Sequence, residues 1–382
     1  MNMIISYIIL LFCLIIFIYS FLILYYTYIW LRIKPVDNNL INNENIVISI
    51  VIPCYNEEDN IIKLLEAINR QTYDLNLVEV IVVDDSSTDN TYKIVEKYKD
   101  NRELGYILHL IKNENGNHGK KYALTEGIRK STGVLILTVD ADSIPYSDRW
   151  IEKVVGYYKA TNNKLIILPV IIDGKTIIEY MQAIEMSGLM VVTASTSYIG
   201  NHLLCNGANM AFEKAIFLEL RGYEGNDTIS TGDDIFLLMK LKKQMPNKIG
   251  FMKNIDVAVI TQGENSLSRL INQRLRWASK VSYVRDNYYI YVSMITFLAN
   301  LMSLLFILMF MFLEGKLFKL ILFTIFIRFL AEYIMLYFGC KFFDDKKIFY
   351  KYILPAYFFN IFYSTVVGFM VLFKFKYKWR GD

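Results

Sequence analysis

The sequence predicts an α/β fold: a Rossmann-like, mostly parallel sheet flanked by transmembrane α-helices. Three observations carry this. Between residues 46 and 262, short β-branched apolar runs alternate with amphipathic stretches. Several of those runs end in carboxylates. Long uncharged runs occupy both ends of the 382-residue chain.

The ends are read first. Hydrophobic residues make up 54% of the chain and mean hydropathy is +0.31, more than a soluble domain needs, and the excess lies at the termini. Residues 4–31 run almost without charge, longer than the apolar region of a signal peptide and with no charged segment before them. They read as an anchor helix that is retained. Arg32 and Lys34 follow at once, so the positive-inside rule places the next segment in the cytoplasm. Three more spans are predicted at 289–313, 317–339 and 348–373. The loop 341–347 reads as cytoplasmic. Three crossings would then place the tail, with Lys374, Lys376, Lys378 and Arg380, outside, against the same rule. Arg328 and Glu332 fall four apart within one apolar run, on one helix face, where they can pair. Intramembrane charges are functional suspects, and a structural ion pair is an equal reading.

The remaining bulk properties exclude classes. A net charge of +4 gives no argument for nucleic acid. Cys13, Cys54, Cys205 and Cys340 are scattered with no CxxC pair, and there are three histidines. Neither a structural zinc site nor a disulfide framework is expected.

The middle of the chain supplies the sheet. "IVISIVIPCYN" reads as an apolar strand broken by Pro53, "NIIKLLEAINRQ" as a helix, and "VEVIVVDDSS" as a buried strand ending in carboxylates. "KKYALTEGIRKS" is helical, and "VLILTVDADS" is another strand ending in carboxylates. Strand–helix alternation of this kind argues for a parallel sheet covered on both faces. Ligands bind such sheets outside the carboxyl ends of the strands, where Asp84, Asp85, Asp140 and Asp142 fall. The expected organisation is an anchor at 1–34, an α/β domain at 46–262, an interfacial helix region at 263–288, three spans within 289–373 and a basic tail at 374–382. The apolar, Met-rich segment 177–199 reads equally as an interface helix or as ordinary core.

Four motifs carry chemistry. Asp140 and Asp142 form a "DAD" turn of hard oxygen ligands suited to Mg²⁺ or Mn²⁺, although acidic turns are more often merely solvated. Asp84 and Asp85 can accept hydrogen bonds from a base or ribose, and Ser86, Ser87 and Thr88 beside them can equally cap a helix. Asp233 and Asp234 open an apolar helical stretch. A carboxylate there can serve as a general base or simply complement the helix dipole. In "QRLRW", Gln273, Arg276 and Trp277 share one helix face. They can clamp a diphosphate and a sugar ring, or lie in the headgroup region of a bilayer.

Taken in order, "PCYNEEDN", "VVDDSSTDN", "GKKYALTEGI", "TVDADS", "CNGANMAF", "TGDDIF" and "QRLRW" resemble the membrane-bound family-2 glycosyltransferases of GT-A fold, over about residues 48–280. That branch includes polysaccharide synthases and ceramide glucosyltransferases. The resemblance implies an inverting transfer from a nucleotide sugar, expected to be a UDP-sugar, to a membrane-associated saccharide or lipid. It implies donor contacts at Pro53, Tyr55, Glu57, Asp84, Asp85, Lys120 and Asp140. A divalent cation, Mg²⁺ or Mn²⁺, would be held at Asp142 and Asp140. Asn206, Gly207 and Asn209 would lie on an acceptor-side loop. Asp234 would be the base, with Asp233 beside it, and Gln273, Arg276 and Trp277 would close over the diphosphate and acceptor. The motifs depart from the family at Lys121 and Tyr122, which replace small residues. A single anchor before the domain weighs against a secreting polymerase, while "QxxRW" fits both a processive synthase and a single-transfer enzyme. An inactive nucleotide-binding assembly subunit and a transporter are rival readings that the complete set of acidic positions disfavours. The expected location is a bacterial inner membrane with the α/β domain in the cytoplasm.

Overall fold

The computed structural model describes residues 3–36, 46–100, 103–113, 119–225, 232–309 and 315–377. In chain order the elements are α1 (Met3–Arg32), β1 (Ile48–Cys54), α2 (Ile61–Asn69), β2 (Val78–Asp84), α3 (Thr91–Asp100), β3 (Ile107–Lys112), α4 (Lys120–Lys130), β4 (Leu135–Val139) and β5 (Ile144–Pro145). There follow α5 (Trp150–Thr161), β6 (Leu165–Ile167), β7 (Val170–Asp173), α6 (Ile177–Tyr198), β8 (Asn209–Glu213), α7 (Lys214–Glu219), α8 (Asp233–Gln244), β9 (Ile249–Phe251) and β10 (Val259–Gln262). The chain continues through α9 (Leu267–Ala278), α10 (Asn287–Met309), α11 (Gly315–Phe342) and α12 (Lys346–Leu372). Two compact units result: an α/β unit of Ile33–Ile172 and Thr196–Gln262, and a helical unit of Met1–Arg32, Asp173–Ser195 and Gly263–Asp382.

The α/β unit holds a seven-stranded sheet in the order β3-β2-β1-β4-β8-β6-β9, beside a small sheet β5-β10-β7. Parallel pairing joins β3, β2, β1 and β4, and also β6 with β9. β8 runs antiparallel to both of its neighbours. The all-buried pattern of β2 is what a strand covered on both faces requires. One core joins Ile48, Ile50 and Ile52 of β1 and Val78, Val80 and Val82 of β2 to Leu64, Leu65 and Ile68 of α2 and Trp150 and Val154 of α5. α4 packs so closely that a Cβ on Gly127 would stand 2.5 Å from Val51, so only glycine fits at that point of the helix.

Pro53 does not break its strand. β1 runs on through Cys54, pairing Pro53 with Val83. Pairing with β4 covers only Ile48–Val51, so Pro53 stands where β1 has one neighbour and a missing N–H is tolerated. The α3 start is also corrected: its capping carboxylate is Asp89, which accepts from the Thr91 amide at 2.9 Å, not the serines before it.

Among the described residues, the helical unit contains four helices long and apolar enough to cross a membrane, at Ser6–Arg32, Asn287–Met309, Leu317–Phe342 and Lys346–Leu372. Each turns large apolar side chains outward, among them Leu14 and Phe21, Met294 and Leu308, Phe323 and Phe326, and Phe358 and Phe362. Helices satisfy their own backbone, as hydrocarbon demands. Ile9, Cys13 and Ile16 of α1 pack on Met302 and Phe306 of α10 and Ile321 of α11. Arg328 is fully buried. It donates to Glu332, to the Ala299 carbonyl (2.7 Å), to Asn300 Oδ1 (2.6 Å) and to Ser303 Oγ (2.5 Å), so the predicted pair is a structural tie between α10 and α11. α6 packs within this unit, with Gly188 against Leu336 and Ser187 against Gly339. Lys378 and Arg380 of the basic tail lie outside the described residues.

Candidate active site

The carboxyl ends of β1, β2 and β4 and the start of α8 carry most of the singled-out residues. Pro53 and Tyr55 sit half-buried at and just beyond the end of β1. Glu57 is buried, and its side chain accepts from Asn60 Nδ2 at 3.0 Å over the start of α2. The turn between them is fixed by Asn56, a left-handed residue whose Oδ1 accepts from the Thr88 and Asp89 amides. Asparagine tolerates that backbone, and its amide ties the ends of β1 and β2 together.

Asp84 ends β2 and is buried. Its Oδ2 accepts from the Ser87 amide at 3.3 Å, while Oδ1 has no hydrogen-bond partner among the described residues. Burial pushes its pKa up, against the Ser87 hydroxyl and amide, which pull it down. Asp85 accepts from Asn113 Nδ2 at 2.8 Å and from the Gly119 amide at 2.7 Å.

Lys120 is the hub. Its Nζ donates to Asp140 Oδ1 at 2.5 Å and lies 3.8 Å from Asp233 Oδ2. Burial alone would lower its pKa, but Asp140 and then Asp233 outweigh that and hold it above the ordinary lysine value. Asp233 and Asp234 open α8 after Gly232, whose φ of 89° is glycine territory. Both are buried. Asp234 Oδ2 accepts from the Gly207 amide at 3.3 Å, and Oδ1 from its neighbour Ile235 at 2.7 Å. A Cβ on Gly207 would stand 2.6 Å from Asp233 Oδ2, so glycine lets the loop approach the carboxylates. Asn206 precedes it on the same loop, half-buried.

Asn209 is corrected. It opens β8 with no exposure, donating to the carbonyls of Pro169 (2.8 Å) and Val257 (2.9 Å) and accepting from Trp150 Nε1 at 3.2 Å. Its side chain is spent on the fold and cannot meet an acceptor.

Asp140 and Asp142 flank the turn after β4, both half-buried, with Asp142 Oδ1 accepting from Ser143 Oγ at 3.3 Å. Among the described residues, no group of three or more His, Cys, Asp or Glu side chains forms a protein-only metal cage. Two carboxylates on a turn nonetheless fit Mg²⁺ or Mn²⁺, which keep several waters and share their coordination with ligand phosphates.

Gln273, Arg276 and Trp277 belong to α9 of the helical unit, all half-buried. Gln273 donates to Glu264 Oε1 at 3.0 Å. The buried arginine of the box is Arg274, which the sequence reading passed over. Its hydrophilic type gave no sign of burial, although its partner, Glu185, is an acid inside the apolar α6 segment.

A parallel-rich sheet with carboxylates at its strand ends, an antiparallel strand inserted beside β4 and a carboxylate-led helix together define a GT-A-like α/β domain. The fold overlays a mannosyltransferase of Pyrobaculum calidifontis, solved with GDP-Man and Mn²⁺, with a TM-score of 0.60 at 18% identity, covering 97% of this chain and 99% of that one. That likeness is one of fold. Residues 49–221 match Glycosyl transferase family 2. A poly-β-1,6-N-acetyl-D-glucosamine synthase of Staphylococcus epidermidis is 25% identical over 66% of this chain and 59% of its own length. An undecaprenyl-phosphate 4-deoxy-4-formamido-L-arabinose transferase of Proteus mirabilis is 37% identical over 25% of this chain and 28% of its own. The chain thus spans less than two thirds of the length of these relatives.

Proposed function

We propose that this chain is an inverting glycosyltransferase that moves a sugar from a nucleotide-sugar donor, a UDP-sugar in the first instance, to a membrane-associated saccharide or lipid. The observation that carries the reading is the single ammonium of Lys120 set between Asp140 of the "DAD" turn and Asp233 of the "GDD" helix. Segments nearly a hundred residues apart thereby share one charged cluster at the binding end of the sheet.

In this reading Asp234 is the general base. Two amide donors orient its carboxylate, as a base aimed at an acceptor hydroxyl needs. Asp233 holds Lys120 in place, and Lys120 meets donor phosphate as a point charge. Asp84 and Asp85, with Pro53, Tyr55 and Glu57, serve the nucleoside. Asn206 and Gly207 serve the acceptor. Gln273, Arg276 and Trp277 are proposed as further ligand contacts. Asp142 and Asp140 would hold Mg²⁺ or Mn²⁺, which supplies charge neutralisation for the departing diphosphate when bound. The helices are proposed to sit in a bacterial inner membrane with the α/β unit in the cytoplasm, the side to which Arg32 and Lys34 point.

The two relatives support different acceptors, a growing polymer or a lipid-linked group. Membranes containing the chain, incubated with labelled UDP- and GDP-sugars plus Mn²⁺, separate them. Label that extracts into organic solvent supports single transfer, and label retained as large insoluble material supports a polymer. Transfer with none of the donors, joined to no donor-induced rise in melting temperature, refutes the proposal.

A further inference from the structure

Between Gln273 and Trp277 stands a buried cation that touches both. Arg274 is 5% exposed on α9. Its Nη2 donates to Glu185 Oε2 at 2.7 Å, and its Nε stands 3.3 Å from both oxygens of that carboxylate. Tyr363 of α12 donates its hydroxyl to Glu185 Oε1. The other arm of the guanidinium, Nη1, donates to Gln273 Oε1. Its Cζ lies 4.2 Å from the centroid of the Trp277 ring.

Stability alone does not account for this arrangement, because a buried ion pair is often no better than apolar packing of the same volume. What a guanidinium adds is a rigid plane with donors at fixed angles and a face that stacks on an aromatic ring. Here one edge is held by α6 and α12 through Glu185 and Tyr363. The remaining arm and the face set the amide of Gln273 and the indole of Trp277.

We infer that Arg274, clamped by Glu185 and Tyr363, is a positioning residue that fixes Trp277 and Gln273 for glycosyl transfer. This rests on the function proposed above. Lysine at this position keeps the charge and the Glu185 pair but loses the plane.

The test is a double-mutant cycle on the full chain in detergent, with Arg274→Lys, Trp277→Phe and their combination. Arg274→Lys should lower kcat/KM by about 10- to 100-fold, the scale on which misplaced binding groups act. In the Trp277→Phe background the same change should cost less than about threefold, because the residues act as one. Arg269→Lys, on the exposed side of the same helix, should leave transfer unchanged. Independently of activity, the Trp277 contribution to fluorescence, native minus Trp277→Phe, should shift in wavelength or acrylamide quenching when Arg274 becomes lysine. Should Arg274→Lys not fold, Tyr363→Phe removes one hydroxyl from the clamp and should show the same pattern with a smaller loss. Multiplying effects in the cycle, or an unchanged Trp277 signal, overturns the inference. If the native chain transfers no sugar, the glycosyltransferase reading fails while the fluorescence arm still decides this one.

Discussion

Lys120→Met keeps the length of the side chain and removes its charge, leaving Asp140 and Asp233 without their shared counter-ion. At 3.8 Å and an effective dielectric near 20, one such charge pair has a gross energy of about 4 kcal/mol. Removing one partner of a buried pair costs about 3–5 kcal/mol, because the other charge is stranded. The side chains of Lys120 and Asp140 are 20% and 33% exposed, so water offsets part of this and about 2–3 kcal/mol is expected. For a unit of this size that is a fall of roughly 4–12 °C in melting temperature. The pH dependence has a definite sign. The folded pKa of Lys120 is raised, so its contribution is fully present below about 10.4 and is lost only as pH climbs through the folded value. Between pH 5 and 8 the native chain gains nothing and loses nothing through this group. Scanning calorimetry on the detergent-solubilised chain at both pH values reads the effect. A variant melting within about 1 °C of the native chain at both would mean that Lys120 does not bind the cluster together.

Three further outcomes are expected. Asp234→Asn should lower kcat by about 10²–10⁴-fold while leaving the donor-induced thermal shift intact, and full transfer by this variant would remove Asp234 as the base. Arg328→Met should destabilise the helical unit by about 3–5 kcal/mol by stranding Glu332, with Glu332→Met restoring most of it; a double variant no more stable than the single one would contradict the structural-tie reading. Burial lowers the pKa of Lys253, whose Nζ donates to the Ile33 carbonyl, to about 8. The unfolded chain then holds one more proton between pH 8 and about 10.4, so stability should rise with pH there by up to about 1.4 kcal/mol per unit. Lys253→Met should flatten that slope, and an unchanged slope would point to another group.

Much of the architecture was legible because its signals are local. β2 is apolar from Val80 to Val83 before its carboxylates, and the long helices of the helical unit are apolar runs with few charges. The strand-end acids followed from where open α/β sheets bind ligands. Other features depend on contacts remote in sequence. "NMAFE" is too short and plain to reveal an antiparallel strand between β4 and β6, so Asn209 read as loop when its amide is bound to Pro169 and Val257. Pro53 read as a strand end because the sequence does not show where β1 loses its second neighbour. Lys120 was found by resemblance, but its place between two carboxylates from distant segments was not visible. Arg274 and Glu185 are 89 positions apart, and only folding shows that they cancel each other's charge.

The placing of β8 also has a consequence for how the chain is made. β1 to β4 can pair as they leave the ribosome, yet β4 and β6 then wait for the strand that must enter between them. During that wait the chain synthesises α6, most of which belongs with helices not yet translated. A nascent chain stalled near residue 200 therefore shows an open strand edge and an uncovered apolar helix together, both of which invite aggregation. The same holds for any attempt to excise residues 33–262 as a free-standing enzyme. The α/β unit is not a contiguous stretch of chain, and what interrupts it is a helix whose partners lie elsewhere.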